Sequence, residues 1–291
     1  MPRILAQALA GLQFLLPHHL LTGLAHRIAK CRIPWFKNTL IRGFSKLFGI
    51  NWEEAAADDP SEFEHFNAFF TRALLHGVRP VTDNPLAIIS PCDGTLSAFG
   101  AIQDSQIFQA KGQDYSLHSL LAEDAAASLF RNGEFATIYL SPRDYHRIHM
   151  PVAAELLSMI HVPGRLFSVA PYTVQCISGL FARNERSIHL FNSDSGPMAL
   201  ALIGAMIVGS MQTVWHGVLN PPRARQQKVW HYPEQSNGEP ISLDRAAEMG
   251  RFNMGSTVIM LFPEHSLKWE TGLYPGCSVR MGQPLARHQP H

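Results

Sequence analysis

The chain has 291 residues, of which 46% are apolar and 16% are charged. This length suits one large domain or two small ones with a substantial core, and the composition is that of a globular protein. The low charged fraction predicts that part of the surface faces something other than water. Four well-separated cysteines without a C-x-x-C pair argue against a zinc ribbon or a dense disulfide framework, and favour a reducing compartment.

The charge is distributed unevenly along the chain. Residues 1–50 contain seven Lys or Arg and no Asp or Glu, whereas the remaining residues carry a net charge of −6. A basic end on an acidic body predicts an anionic partner, which could be membrane lipid or nucleic acid. The apolar and aromatic pattern of this end favours lipid, so we expect no nucleic-acid partner.

Two apolar segments occupy the basic end. The first, ILAQALAGLQFLL at 4–16, is too short to cross a bilayer but long enough to lie in its interface. The second, WFKNTLIRGFSKLF at 35–48, has large apolar residues at helical spacing: Phe36, Leu40, Phe44, Leu47 and Phe48. We expect residues 1–55 to form a basic amphipathic helical membrane-binding region, with ordinary helices packed on the body as the alternative.

The pattern changes twice after this arm. Ser61 and Glu64 have the spacing of a capping box, which predicts a helical connector within residues 56–85. From residue 86 the chain consists of short apolar runs separated by Gly, Pro, Asn and Asp, which are typical of strands. One longer run at 198–209 is expected to be a buried strand rather than a membrane span. The predicted fold is α+β, with a helical arm on a β-rich catalytic body, residues 86–291.

Three separated segments could form one reactive site: SPCDG at 90–94, SPRDYHRIHMP at 141–151 and MGST at 254–257. Asp93-Gly94 alone is typical of a turn, and Gly255-Ser256 alone of a bulge or turn before a strand. Ser141 could cap a helical turn that places His146 and His149 on one face. Two histidines without a third ligand nearby do not predict a metal site.

Together these segments resemble the phosphatidylserine decarboxylases, a pyruvoyl-dependent family with P-x-D-G, Y-H-R-x-H and L-G-S-T motifs. The likeness covers nearly the whole chain after residue 60, and the basic arm is similar to the membrane-associated N-terminus of the bacterial type. It also includes GRLFSVAP at 164–171, LFARNER at 180–186, GPMALALIGAMIVGS at 196–210 and MGQPLA at 281–286. One departure is Met254, where the family usually has Leu, and we expect cleavage to survive it because the two side chains have similar volumes.

The resemblance implies self-cleavage between Gly255 and Ser256. The Ser256 hydroxyl would attack the Gly255 carbonyl to give an ester, and β-elimination would leave a dehydroalanine that becomes a covalent pyruvoyl group. His149 would be the base, oriented by Asp93 in a serine-protease-like triad, while His146 would protonate the product of the second reaction. The 36-residue fragment 256–291 would stay bound to residues 1–255.

The implied second reaction converts phosphatidylserine to phosphatidylethanolamine through a Schiff base with the pyruvoyl ketone. The family also implies a homodimer that binds peripherally to an anionic membrane, on the cytoplasmic face of the bacterial inner membrane. Three alternatives remain: a Ser/His/Asp hydrolase, a pyruvoyl decarboxylase of a soluble amino acid, and a non-catalytic membrane-binding module. Arg183 and Arg186 are possible phosphate ligands, with surface ion pairs as their alternative role.

Overall fold

The computed structural model describes residues 3–110, 113–206, 210–219, 226–253 and 256–289, and it has the predicted α+β architecture. The helices are α1 (Arg3–Gln13), α2 (His18–Ala29), α3 (Pro34–Phe48), α4 (Phe66–Phe70), α5 (Leu117–Leu121), α6 (Asp124–Leu129), α7 (Pro171–Val174) and α8 (Leu180–Arg183). Short 3₁₀ turns lie at Pro60–Glu62 and Glu234–Ser236.

The body consists of short strands. They are β1 (Ala87–Ile89), β2 (Gly94–Ala101), β3 (Gln106–Ala110), β4 (Gln113–Ser116), β5 (Glu134–Leu140), β6 (Arg147–His149), β7 (Ala154–Val162), β8 (Arg186–Ser193) and β9 (Gly196–Ile203). The second half contains β10 (Met211–Thr213), β11 (Gly217–Val218), β12 (Lys228–His231), β13 (Ser242–Leu243), β14 (Glu248–Phe252), β15 (Ser256–Phe262), β16 (Leu267–Trp269), β17 (Ser278–Val279) and β18 (Pro284–His288).

These strands form antiparallel sheets around one large core. The largest sheet has the order β12-β7-β8-β9-β15-β5-β2-β17, with β13 also paired to β7. A second sheet has the order β11-β10-β14-β6, and a third has the order β1-β18-β16. The second sheet therefore joins the histidine segment at 147–149 to the strand that leads towards the predicted cleavage site.

Strand β15 lies near the centre of the largest sheet, between β9 and β5. Residues 258–262 are almost completely buried, so the strand is covered on both faces and shows no alternation of apolar and polar residues. The long apolar run at 198–209 is likewise a buried strand as far as Ile203, which confirms that part of its prediction.

The arm is helical, but it contains a helix, α2, between the two apolar segments that the sequence pattern singled out. No single described helix is long and apolar enough to cross a bilayer. Helices α1 and α2 together have the length and composition of a span, but an 85° bend separates them. Helix α1 is fixed to the body because Gln13 accepts a hydrogen bond from the Ser168 amide, and Phe14 packs against Phe167. Many of the arm's large side chains are exposed: Ile4, Leu5, Leu9, Leu12, Phe14, Leu15, Leu20, Leu21, Leu24, Ile28, Ile33, Trp35, Leu47 and Phe48.

Helix α3 uses its apolar residues in two ways. Phe44 packs against three phenylalanines of α4, whereas Leu47 is 76% and Trp35 71% exposed. Lys37 is not a surface cation, because its ammonium donates hydrogen bonds to the Pro60 and Ser61 carbonyls. Part of the amphipathic pattern is therefore used for packing on the body, and part remains exposed on the same helix.

The connector differs from its prediction. Its capping box is formed by Asp59 and Glu62 around a 3₁₀ turn, and not by Ser61 and Glu64. Proline at position 60 favours this earlier start because a first-turn proline loses no helical hydrogen bond. Helix α4 begins only at Phe66, where the His65 ring caps the Ala68 amide. Together α3 and α4 enclose a small aromatic cluster, separate from the main core, which we call the connector cluster: Ala29, Ile41, Ile50, Phe63, Phe66, Phe69 and Phe70.

Candidate active site

Asp93 lies at the start of β2 and is held by two other parts of the chain. Arg79 donates to both carboxylate oxygens, at 2.9 Å from Nε to Oδ1 and 2.5 Å from Nη2 to Oδ2. The backbone amide of Met281 also donates to Oδ1, at 2.9 Å. The next residue is Gly94, and a side chain is excluded there because a Cβ would lie 2.4 Å from the Tyr139 carbonyl oxygen. This Asp-Gly pair thus marks a close strand contact and a fixed carboxylate.

Arg79 is itself shared between two carboxylates, because its Nη2 also donates to Glu54 at 2.7 Å. Burial alone would lower the pKa of Arg79, but hydrogen bonds to Asp93 and Glu54 outweigh that effect and raise it. No sequence pattern predicts this partner, because Arg79 lies 14 residues before Asp93 in an irregular segment.

His149 occupies the end of β6 and has a hydrogen bond at each ring nitrogen. Nδ1 lies 2.7 Å from the Ala246 carbonyl oxygen, and Nε2 lies 3.0 Å from the Tyr145 hydroxyl. A carbonyl can only accept, so Nδ1 carries the proton and Nε2 of the neutral ring accepts from Tyr145. Burial lowers the pKa of His149, which keeps the ring neutral at neutral pH. The histidine is therefore in the tautomer that a general base requires at Nε2.

The hydrogen bond to Ala246 replaces the one expected from Asp93. Ala246 has a φ of +67°, a left-handed conformation that costs energy for a residue with a Cβ. Its backbone amide donates to the Met150 carbonyl, so the turn is tied to the chain just after His149. Asp93 still acts on His149 through space, since its charge is among the influences that raise the pKa of this ring.

His146 is completely buried; the Ser141 and Pro142 carbonyls lie close enough to raise its pKa slightly, but neither ring nitrogen has a well-formed hydrogen bond among the described residues. Its ring stacks on Phe70 of the connector cluster, with centroids 4.0 Å apart. Burial, together with the nearby positive charge of Arg72, lowers the pKa of His146 to about 3. This histidine is neutral at neutral pH and has unsatisfied hydrogen-bonding capacity in the protein interior.

The predicted helical turn with both histidines on one face is wrong. Ser141 and Asp144 do form a turn, since the Ser141 amide and hydroxyl both donate to the Asp144 carboxylate. The chain then enters β6, which pairs with β14, so His149 belongs to a strand. Local capping signals cannot report this pairing because it depends on residues about 100 positions away.

The structure brings two of the three sequence segments together, and it places the histidine segment beside the residues that precede the third. The His149 amide donates to the Pro91 carbonyl at 2.8 Å, which joins the SPCDG and histidine segments. The Phe252 amide donates to the His146 carbonyl at 3.1 Å, which joins the histidine segment to the chain just before residue 254. Met254, Gly255 and the side chain of Ser256 lie outside the described residues, and so does the predicted cleavage geometry.

Both flanks of that cleavage site are fixed. Before it, the buried Asn253 side chain accepts from Asn67 at 2.9 Å and donates to the Ser210 hydroxyl at 2.6 Å. After it, the backbone of Ser256 pairs with Leu140 at the first position of β15. The described chain is therefore anchored up to Asn253 and again from the Ser256 backbone onward.

The two arginines of the LFARNER segment have structural contacts. Arg186 is buried and donates to the backbone carbonyls of Leu120, Ala182, Asn184 and Ser119. Arg183 lies over the rings of Phe14 and Phe167, at 5.2 and 5.3 Å from their centroids. Within the described part of the chain neither forms the surface ion pair considered as its alternative role, and the guanidinium of Arg186 already makes four hydrogen bonds to backbone carbonyls.

Comparison with known proteins agrees with this arrangement. The family model for phosphatidylserine decarboxylase matches residues 66–287, and a second model, described as PSD, matches residues 9–49. The chain is 51% identical over 276 residues to the phosphatidylserine decarboxylase proenzyme of Azotobacter vinelandii, covering 94% of this chain and 96% of that protein. Proenzymes of the same name from Pseudomonas putida F1 and Stutzerimonas stutzeri are 53% and 50% identical over 94% of this chain, and over 95% and 92% of their own lengths. The chain belongs to the phosphatidylserine decarboxylase family.

Proposed function

We propose that this protein is a proenzyme that cuts its own backbone before Ser256 and then decarboxylates phosphatidylserine to phosphatidylethanolamine. The observation that carries the proposal is a pair of backbone hydrogen bonds, from His149 to Pro91 and from Phe252 to His146. They join the SPCDG segment, the histidine segment and the chain that precedes the proposed cleavage site. Family membership supports the decarboxylase activity, and the proenzyme names of the relatives fit a chain that is cut during maturation.

In the first reaction, His149 is the base that takes the proton of the Ser256 hydroxyl. The hydroxyl oxygen then bonds to the Gly255 carbonyl carbon, the peptide C–N bond breaks, and the released nitrogen gains a proton. Elimination next removes the α-hydrogen of residue 256 and breaks the new ester, which frees the Gly255 carboxylate. The remaining dehydroalanine tautomerises to an imine. Water hydrolyses this imine, which releases ammonia and leaves a ketone.

Tyr145 and Ala246 position His149 for this step. The Ala246 carbonyl holds the proton on Nδ1, and Tyr145 marks the direction in which the Nε2 lone pair points. The negative charge of Asp93 raises the pKa of His149 through space, which favours the imidazolium that forms when His149 accepts a proton. This role differs from the hydrogen-bonded aspartate of a serine-protease triad, and it suits a carboxylate already bound to Arg79.

A pyruvoyl ketone at position 256 would withdraw electrons from a bound amine and so stabilise the charge left by departing carbon dioxide. The surroundings fit such a group, because the completely buried His146 lies beside the chain that leads to residue 256, with its carbonyl accepting from the Phe252 amide. We assign to His146 the delivery of a proton to the product carbon. Phe70 fixes the plane of its ring and excludes water from one face.

The cut fragment would remain part of the fold. Residues 256–289 supply β15 near the centre of the largest sheet, β17 on its edge, and β16 and β18 of the third sheet. Separating the fragment would expose the apolar residues of β15 and break hydrogen-bonded ladders with β5, β9, β2 and β1.

The arm brings the protein to its lipid substrate. Its exposed apolar side chains and the cations of Arg27, Lys30, Arg42 and Lys46 suit peripheral attachment to an anionic bilayer, which we place on the cytoplasmic face of the bacterial inner membrane. The connector cluster links this arm to His146 through Phe70, so the site is packed directly against the membrane-binding region. A homodimer remains part of the proposal on the family resemblance alone.

Release of carbon dioxide from carboxyl-labelled phosphatidylserine in mixed micelles tests the function. The purified protein should release label, and the Ser256→Ala variant should release none. An uncut chain that releases no label but hydrolyses esters would support the hydrolase alternative. Release from a soluble amino acid but not from the lipid would support the alternative of a pyruvoyl decarboxylase that acts on a soluble amino acid.

A further inference from the structure

A cavity of about 250 Å³ lies between the arm and the catalytic segments. Gly49 and Asn51, just after α3, line one side, and Asp93 and Tyr145 line another. The last turn of α3 carries the exposed Leu47 and Phe48, so the cavity begins where the proposed lipid-facing surface ends. It adjoins the candidate active site, since Tyr145 also hydrogen-bonds His149, but the two reactions described above assign no role to the cavity itself.

The cavity carries an excess of positive charge. Four arginines and three carboxylates line it, which leaves one positive charge uncompensated. Arg79 is paired with Asp93 and Glu54, and the exposed Arg280 also approaches Glu54, at 3.3 Å. The Asp144 carboxylate accepts from Ser141 and lies 3.9 Å from Arg143.

Arg72 has none of these carboxylates as a hydrogen-bond partner. It is only 5% exposed, and its Nε and Nη1 have no acceptor among the described residues. Nη2 makes one long contact, 3.3 Å to the Arg143 carbonyl, and the guanidinium lies 5.5 Å from the Phe69 ring centroid. A buried guanidinium remains charged at neutral pH, and leaving its donors unpaired is unfavourable. The environment of Arg72 therefore favours binding of an anion.

The substrate offers two anionic groups, a carboxylate and a phosphodiester. A guanidinium bound to the carboxylate would stabilise the ground state that must lose its charge as carbon dioxide, and would oppose the reaction. The phosphodiester keeps its single negative charge throughout, and arginine binds phosphate oxygens well. We propose that this cavity binds the phosphodiester of the lipid headgroup, with Arg72 as its principal ligand, an inference that rests on the proposed function.

The order of groups in the lipid supports this assignment. In phosphatidylserine the phosphate separates the acyl chains from the serine moiety, just as the cavity separates the end of α3 from Asp93 and Tyr145. A phosphate at Arg72 would leave the acyl chains near Leu47 and direct the serine amine towards the histidine segment. Arg72 would then be a specificity residue that recognises a phospholipid rather than a free amino acid.

Binding of soluble headgroup fragments to the full-length Ser256→Ala chain tests the site without requiring maturation. Titration calorimetry would compare sn-glycero-3-phosphoserine, sn-glycerol 3-phosphate, inorganic phosphate and L-serine. We expect Arg72→Met to weaken binding of both glycerophosphate compounds by about tenfold or more, the effect of losing a charged hydrogen-bonding partner. Arg72→Lys should restore part of this affinity, and Arg287→Met, which alters an exposed arginine outside the cavity lining, should change nothing.

The mature enzyme provides a second readout. Arg72→Met should raise KM for phosphatidylserine by about tenfold while the chain is still cut at the normal extent. Equal binding by Arg72→Met and Arg287→Met would overturn the proposal, as would Arg72-dependent binding of L-serine. Inorganic phosphate binding as tightly as glycerophosphoserine would overturn the assignment to a lipid headgroup. Failure of the proposed function would instead appear as a wild-type chain that is never cut, with headgroup binding still measurable.

Discussion

The N-terminal arm and strand β15 are both rich in large apolar residues, but they place them in opposite environments. Residues 258–262 of β15 are almost inaccessible to water, whereas α1, α2 and α3 leave most of their large side chains exposed. The same hydrophobicity would therefore hold the two proposed fragments together in one region, and it leaves apolar surface exposed in the other. Apolar composition alone does not distinguish these roles, whereas exposure does.

The largest effect expected from this comparison is on folding. Ile259→Asp would bury a carboxylate without a partner in the central strand and should lower the free energy of unfolding by more than about 4 kcal/mol. Leu47→Asp, a matched change on the arm, should alter stability by less than about 0.5 kcal/mol. Urea unfolding would measure both values.

Leu47→Asp should instead weaken attachment to vesicles containing anionic lipid by about tenfold, the loss expected for one inserted leucine. Vesicle flotation would measure this effect. Equal flotation of the wild-type and Leu47→Asp proteins would show that the exposed end of α3 does not enter the bilayer.

Two histidines that belong to one segment should separate the two reactions. His149→Ala should leave a single uncut chain, because the base for Ser256 is lost. His146→Ala should still be cut but should lose at least about 100-fold in decarboxylation, the usual contribution of a general acid. Gel analysis and carbon dioxide release would be compared with His265→Ala, whose side chain is exposed. Cutting of His149→Ala at the normal rate would contradict the assignment of the base.

The buried neutral histidines should make the fold sensitive to acid. Burial lowers the pKa of both His146 and His189 to about 3, below the ordinary value of 6.5 that applies after unfolding. The unfolded chain therefore binds more protons, and stability is lost as the pH falls from about 6.5 towards 3. Each histidine should cost about 2 kcal/mol by pH 5.

Chemical unfolding at pH 7 and pH 5 would measure this loss. His189→Gln should reduce the difference between the two pH values, because it removes one of the two buried groups. An unchanged difference would contradict the effect assigned to burial of His189.

A smaller effect is expected from Tyr145→Phe. Without the hydroxyl, the Ala246 carbonyl still fixes the His149 tautomer, but Nε2 loses its hydrogen bond and the ring is held less firmly. Maturation should therefore slow by about fivefold, which corresponds to the free energy of about one hydrogen bond. The half-time of cleavage would be measured against Tyr274→Phe, which alters an exposed ring. Identical half-times would exclude a positioning role for Tyr145.

Much of the fold followed from the hydrophobic pattern: the arm has apolar residues at helical spacing, whereas β9 and β15 are short unbroken apolar runs. The partners of the site residues could not be predicted. Ala246 contributes a backbone carbonyl, which every residue has. Its left-handed conformation could not be recognised from the sequence because the residue is alanine and not glycine. Arg79 reaches Asp93 only through the tertiary fold. Short-range capping patterns misplaced the connector box and the histidine turn because neighbouring polar residues can form more than one local arrangement.

The central claim is that this chain breaks its own backbone and converts Ser256 into a ketone. Intact mass spectrometry of freshly purified protein tests it directly. We predict two components, one ending at Gly255 and one of 36 residues whose first residue has the mass of a pyruvoyl group, with both absent from Ser256→Ala. A fully active preparation that contains only the unbroken 291-residue chain with an ordinary serine would contradict it.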